Sequence, residues 1–129
     1  MNLLDDRVVV RNITFALTMA ALICFVLIYQ FTTKTDAERE RARARTTLET
    51  IYKLQQSYFQ EFGTYLSSDR GNTSDVLRWD DTPGLFEYVV IDHGDTYVAL
   101  AEADLDGDGS LEIWRVDPKH PEPVLVQRD

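Results

Sequence analysis

Residues 13–62 read ITFALTMAALICFVLIYQFTTKTDAERERARARTTLETIYKLQQSYFQEF, without a proline or a glycine. With neither breaker present, nothing local forces a helix to stop before Gly63. The first part, residues 13–31, carries no charge, and its only polar members are Thr14, Thr18, Gln30 and the hydroxyl of Tyr29. A helix rises about 1.5 Å per residue and the hydrocarbon core of a bilayer is about 30 Å thick, so this run is of spanning length. Arg7 and Arg11 precede it, and Lys34, Arg39, Arg41, Arg43 and Arg45 follow. A cleavable signal peptide has a shorter apolar region and a small-residue exit, and YQFTTKTDAE offers neither. The expectation is a retained transmembrane helix over 13–33, after an N-terminal flank of 1–12. A buried core helix is disfavoured, because the rest of the chain is too small to surround it.

Beyond Thr35 the helical pattern continues as an amphipathic stem over 34–62. Leu48, Ile51, Tyr58 and Phe62 fall on one stripe, with Tyr52 and Phe59 beside it, a face made to pack on something. Ala37, Ala42 and Ala44 alternate with charges, and that stretch reads as a solvated neck. Residues 63–84 then turn to Ser, Asp, Gly, Asn and Thr, with RGNTSD and DDTPG as turn signals. This predicts a long connection pinned to the core by Leu66, Val76, Leu77 and Trp79. LFEYVVID and TYVALAEA, separated by His93-Gly94, read as an antiparallel hairpin, and LEIWRVD and PVLVQ as further strands. A helix face laid across a three- or four-stranded antiparallel sheet buries all of these apolar stripes at once. The fold class is therefore α+β, with the β domain over 63–129.

Charge is unevenly spread. Residues 1–45 hold seven Lys/Arg against five Asp/Glu, and residues 46–129 hold six against seventeen, a net of −11. Such a surface repels phosphate backbones, whose affinity for proteins rests largely on Lys and Arg displacing counterions, so nucleic-acid binding is excluded. The only cysteine, Cys24, lies in the apolar run, which leaves the soluble part without a disulfide or a thiolate metal site. The two imidazoles, His93 and His120, have no neighbouring Ser or Cys arranged for nucleophilic catalysis, and Glu61, Glu87 and Asp92 are unpaired carboxylates. No enzyme activity is expected.

The segment Asp104-Leu-Asp106-Gly-Asp108-Gly-Ser-Leu-Glu112 places carboxylates at positions 1, 3, 5 and 9 of a loop whose sixth residue is Gly109. Calcium takes six to eight oxygens at about 2.4 Å, and this spacing lets alternate side chains converge while glycine permits the sharp turn. The main-chain carbonyl of Ser110, at position 7, completes the set. Close carboxylates repel one another, so a bound cation relieves a cost as well as ordering the loop. Position 12 is Arg115 rather than a bidentate Glu, and the flanks are strands, so the loop is a hairpin site rather than an EF-hand. Magnesium, which keeps its waters, fits less well. The alternative is a metal-free turn rich in Asp and Gly.

A membrane helix running into a stem that ends Tyr58-Phe-Gln-Glu-Phe-Gly63-Thr-Tyr65, a polar connection, and a sheet carrying Ala101-Glu-Ala-Asp104-Leu-Asp-Gly-Asp-Gly ahead of Trp114 together resemble the type IV pilin-like proteins. The resemblance is greatest to the major pseudopilin of type II secretion systems. It implies a structural subunit of a filament or secretion machine, with Asp104, Asp106, Asp108, Ser110 and Glu112 as calcium ligands. The partners it implies are other pilin-like subunits, further copies of the chain among them, or secretion-machine components, besides the lipid bilayer. Prepilins carry a leader ending in Gly and a Phe-Thr-Leu-Ile-Glu-like start. Here DDRVVVRNITFALT has no Gly before Phe15 and no Glu in the apolar run, so the helix is expected to stay as a permanent single-pass anchor in a bacterial inner membrane. Counting Lys and Arg alone places the C-terminal side in the cytoplasm. Asp36, Glu38 and Glu40 interleave with those arginines, and a calcium loop of modest affinity is best filled where calcium is millimolar. These two features favour an extracytoplasmic domain. A second reading is an anchored calcium-binding domain that engages a protein partner without polymerising.

Overall fold

The computed structural model describes residues 3–79 and 84–129, so all but Gly84 of the turn expected at DDTPG, residues 80–84, lies outside the described residues. The first element, α1, is one helix, Leu3–Phe62. It takes in most of the predicted flank, because nothing between Leu3 and Ile13 breaks a helix. The chain divides into two compact units, Met1–Ala37 and Glu38–Asp129.

In the first unit the large apolar side chains, Phe15, Leu22, Phe25, Leu27 and Phe31 among them, are exposed. Among the described residues α1 is the one helix long and apolar enough to cross a membrane. Its threonines are suited to hydrocarbon. The Thr14 hydroxyl donates to the Val10 carbonyl at 2.7 Å, Thr18 donates to Phe15 O at 2.8 Å, and Thr32 donates to Ile28 O at 2.9 Å. Each hydroxyl is satisfied within the helix, so none needs water.

In the second unit, the C-terminal part of α1 packs with a four-stranded antiparallel sheet of order β1-β2-β3-β4, formed by Glu87–Asp92, Tyr97–Ala103, Glu112–Asp117 and His120–Gln127. Strand alternation supplies the buried face: Tyr88 and Val90 from β1, Tyr97, Ala99, Ala101 and Ala103 from β2, and Val116 from β3. The three alanines leave room for the helix backbone to come close. From α1 the same core receives Ala44, Leu48 and Ile51, all fully buried.

Two details depart from the predicted stripe. Phe62 is exposed, and Gln55, fully buried, occupies the position between Ile51 and Tyr58. Its amide is satisfied by backbone: Nε2 donates to Leu66 O at 2.6 Å, and Oε1 accepts from Leu66 N at 2.9 Å. A polar residue thus serves the stripe by tying the returning chain to the helix. The predicted solvated neck is also partly buried, since Ala44 is inaccessible to solvent and Arg41 is largely covered.

Gly63 ends α1 as expected, with φ +73° and its N–H donating to Phe59 O at 2.8 Å. A Cβ there would meet nothing within 4 Å, so the penalty of Gly63→Ala is conformational alone. It should cost about 1 kcal/mol, read as a shift in the denaturant midpoint followed by tryptophan fluorescence.

The connection after Gly63 contains a short helix, α2 (Thr73–Leu77), and covers the free edge of β1. Ser68 and Val90 exchange backbone hydrogen bonds at 2.9 and 3.3 Å, and Thr73 Oγ1 donates to Tyr88 O at 2.7 Å. Leu77 is buried, and Leu66 and Trp79 pack against the core. The other edge, β4, contains Pro121 and Pro123, and its pairing with β3 is interrupted twice by register shifts. Both features blunt an exposed edge.

Candidate metal centre

The loop from Asp104 to Leu111 joins β2 to β3 and is organised by its own aspartates. Asp104 accepts from Gly107 N through Oδ1 at 2.7 Å and from Gly109 N through Oδ2 at 2.9 Å. Asp106 Oδ1 accepts from Asp108 N at 3.0 Å, and Asp108 Oδ1 from Ser110 N at 2.7 Å. Gly109 sits at φ +92°, a conformation that glycine adopts without the penalty a Cβ brings. The Ser110 backbone N–H and hydroxyl hold the Asp108 carboxyl below the usual aspartate range, so it is anionic at neutral pH.

The carboxylates of Asp104, Asp106, Asp108 and Asp129 each offer an oxygen, and these oxygens all lie within 4.8 Å of one another. Oxygens bound to one calcium on opposite sides stand about 4.8 Å apart, twice the bond length, so this spread fits a shared ion. Asp129 was not in the predicted set. Its Oδ2 accepts from Leu105 N at 2.6 Å and Asp106 N at 3.2 Å, which straps the segment after β4 onto the loop. Its Oδ1 is buried without a partner among the described residues. A buried carboxylate oxygen left unbonded is costly, and a cation at the cluster would satisfy it. The donor set, hard anionic oxygens only, suits a hard divalent cation rather than a thiolate- or imidazole-binding metal.

The structure therefore brings together three of the predicted carboxylates and adds a fourth. Ser110 is exposed, with its N–H on Asp108. Glu112 is held elsewhere. Its side chain is fully buried, facing α1, where Oε1 accepts from Arg41 Nε at 2.9 Å and Oε2 from Arg41 Nη2 at 2.9 Å. Trp114 Nε1 also donates to Oε1 at 2.7 Å, and the Arg45 guanidinium stacks 5.5 Å from the Trp114 ring centroid. Burial alone would push the Glu112 carboxyl up, and the hydrogen bonds from Arg41 and Trp114 outweigh it and bring it below the usual range. The signal for this placement was present in the sequence. Glu112, Trp114 and Val116 share strand parity, and Val116 is a core residue. No comparable signal marked Asp129, which is remote from the loop in sequence.

His93 lies in the β1–β2 turn and His120 opens β4. His93 N donates to Thr96 O at 2.9 Å, and His120 Nδ1 is 3.0 Å from Asp117 Oδ1, across the β3–β4 turn. No protein-family model, curated protein or solved structure matches the chain.

Proposed function

We propose that this protein is a membrane-anchored, pilin-like structural subunit or accessory protein of a type II secretion or type IV pilus-like machine, with a sheet domain stabilised by calcium. The observation that carries this reading is α1 itself. It is apolar and exposed at its start, and it contributes Ala44, Leu48, Ile51 and Gln55 to the core of a four-stranded meander at its end. A subunit that works by packing needs a lateral apolar helix and a rigid head, and it needs no cleft. The domain is placed outside a bacterial inner membrane, where calcium is abundant. Asp104, Asp106, Asp108 and Asp129 would hold the ion, with the carbonyl of Ser110 as a further oxygen.

Two experiments test the reading. An amine-reactive crosslinker acting through Lys34, Lys53 and Lys119 in native membranes should give a ladder of multimers. A monomer, or a single band of defined mass, would instead support the anchored, non-polymerising domain. Melting the full chain in detergent with calcium and then with chelator tests the ion. Calcium at a hundredfold above Kd should add about 2.7 kcal/mol, and Asp106→Ala should abolish most of that gain. An unchanged midpoint in both cases rejects calcium.

A further inference from the structure

The hairpin that carries the aspartates closes at one residue pair. Ala103 and Glu112 are the last register pair between β2 and β3, so every loop residue hangs from it. The Glu112 side chain is the point at which α1 grips that pair. Arg41 holds both of its carboxylate oxygens, Arg41 Nη1 is itself held by Glu38 at 2.8 Å, and Arg45 lies over Trp114, the next inward residue of β3. Stem residues 38–45 therefore dock on the strand at the base of the aspartate loop.

Two physical consequences follow. A buried carboxylate that loses its guanidinium must move to water, because an unpaired charge is not tolerated in the interior. Glu112 cannot do so without loosening its pairing with Ala103, and that frees the loop's base. In the other direction, a cation drawing in Asp104, the residue after Ala103, together with Asp106, Asp108 and Asp129, fixes the loop ends. The entropy of ordering the closing pair then falls on the cation rather than on the ion pair.

We propose that the Arg41–Glu112 pair couples cation binding in the aspartate loop to docking of the first turns of the stem on the sheet, each stabilising the other. Glu112 acts here as a positioning residue and not as a ligand. The inference rests on the calcium reading of the loop. Coupling of this kind is reciprocal, so it can be read from either end.

The test is a calorimetric titration of the full chain in detergent micelles with CaCl2. Arg41→Met and Glu112→Gln should each weaken calcium binding at least ~5-fold, while Lys53→Met, at an exposed stem position, should leave it unchanged. An affinity for Arg41→Met equal to or tighter than wild type overturns the coupling and leaves the calcium reading standing. Tighter binding would mean that Glu112 is released to the metal. If wild type shows neither heat nor a melting shift with CaCl2, both readings fall. Should Arg41→Met not fold, hydrogen exchange of wild type decides. Amides of residues 41–48 and 113–116 should exchange more slowly with CaCl2 than with chelator, and equal rates overturn the proposal.

Discussion

Arg41→Met should destabilise the sheet domain by about 3 kcal/mol, toward the low end of the cost of breaking a buried ion pair. The low end applies because the Arg41 side chain keeps 19% of its surface exposed while Glu112 keeps none. Among the described residues, removing the guanidinium leaves a fully buried carboxylate with only the Trp114 indole as a hydrogen-bond donor, and that deficit, more than the lost attraction, sets the magnitude. The double variant Arg41→Met/Glu112→Leu removes both charges and should recover most of the loss. It would remain about 1 kcal/mol below wild type, since Trp114 Nε1 loses its acceptor. Denaturation followed by tryptophan fluorescence reads this directly, because Trp79 and Trp114 are the only tryptophans and both lie in the second unit. If the single and double variants were equally destabilised, the ion pair would not be the cause.

The same pair predicts an acid limit. Glu112 has its folded-state pKa below the ordinary glutamate value of about 4.3, so its stabilisation is complete above that value and is lost as pH falls through the depressed one. Asp117 acts in the same direction. Burial pushes its carboxyl up, but donation from His120, the Lys119 and His120 backbone N–H groups and Arg115 outweighs that and lowers it. Stability should be flat just above pH 5 and fall steeply below about pH 4. The Arg41→Met/Glu112→Leu variant should show the shallower fall.

Leu48→Ala should cost roughly 3 kcal/mol and lower the melting temperature of the domain by roughly 15 °C. Leu48 is fully buried in the core cluster, which includes Ala44, Ala99, Ala101 and Ala103, and alanines have no rotamers that could swing into a space left behind. The cavity term therefore stays large. Phe62→Ala, at a position that looked equivalent in the helical pattern, should cost under 1 kcal/mol, because Phe62 is exposed, with its ring against that of Tyr58. Comparable losses for the two would mean that the buried stripe has been misplaced along α1.

Much of the architecture is legible because it is periodic. Apolar runs and the absence of Gly and Pro gave the helix, and alternation gave four strands within a few residues of where they lie. The largest differences are in the stem and in β4. Gln55 belongs to the buried stripe despite its polarity because the chain returns at Leu66 with a free backbone N–H and C=O to meet it. β4 begins at His120, ahead of the apolar PVLVQ run, because an edge strand tolerates Pro121 and Pro123.

By itself the sequence determined the apolar helix, the α+β class and the acidic hairpin loop, all set by patterns within a few residues of one another. Such patterns fix which face a side chain occupies. Only the tertiary structure decided what each side chain meets there. Arg41 reaches Glu112 across 71 residues, and Asp129 reaches Leu105 across 24. The aspartate loop thus gathers the carboxylates of Asp104, Asp106, Asp108 and Asp129, with Glu112 turned inward to the stem. The physical reason is that a buried carboxylate must find a cation or a donor wherever the fold brings one. That choice depends on how distant segments return to each other, which no local spacing encodes.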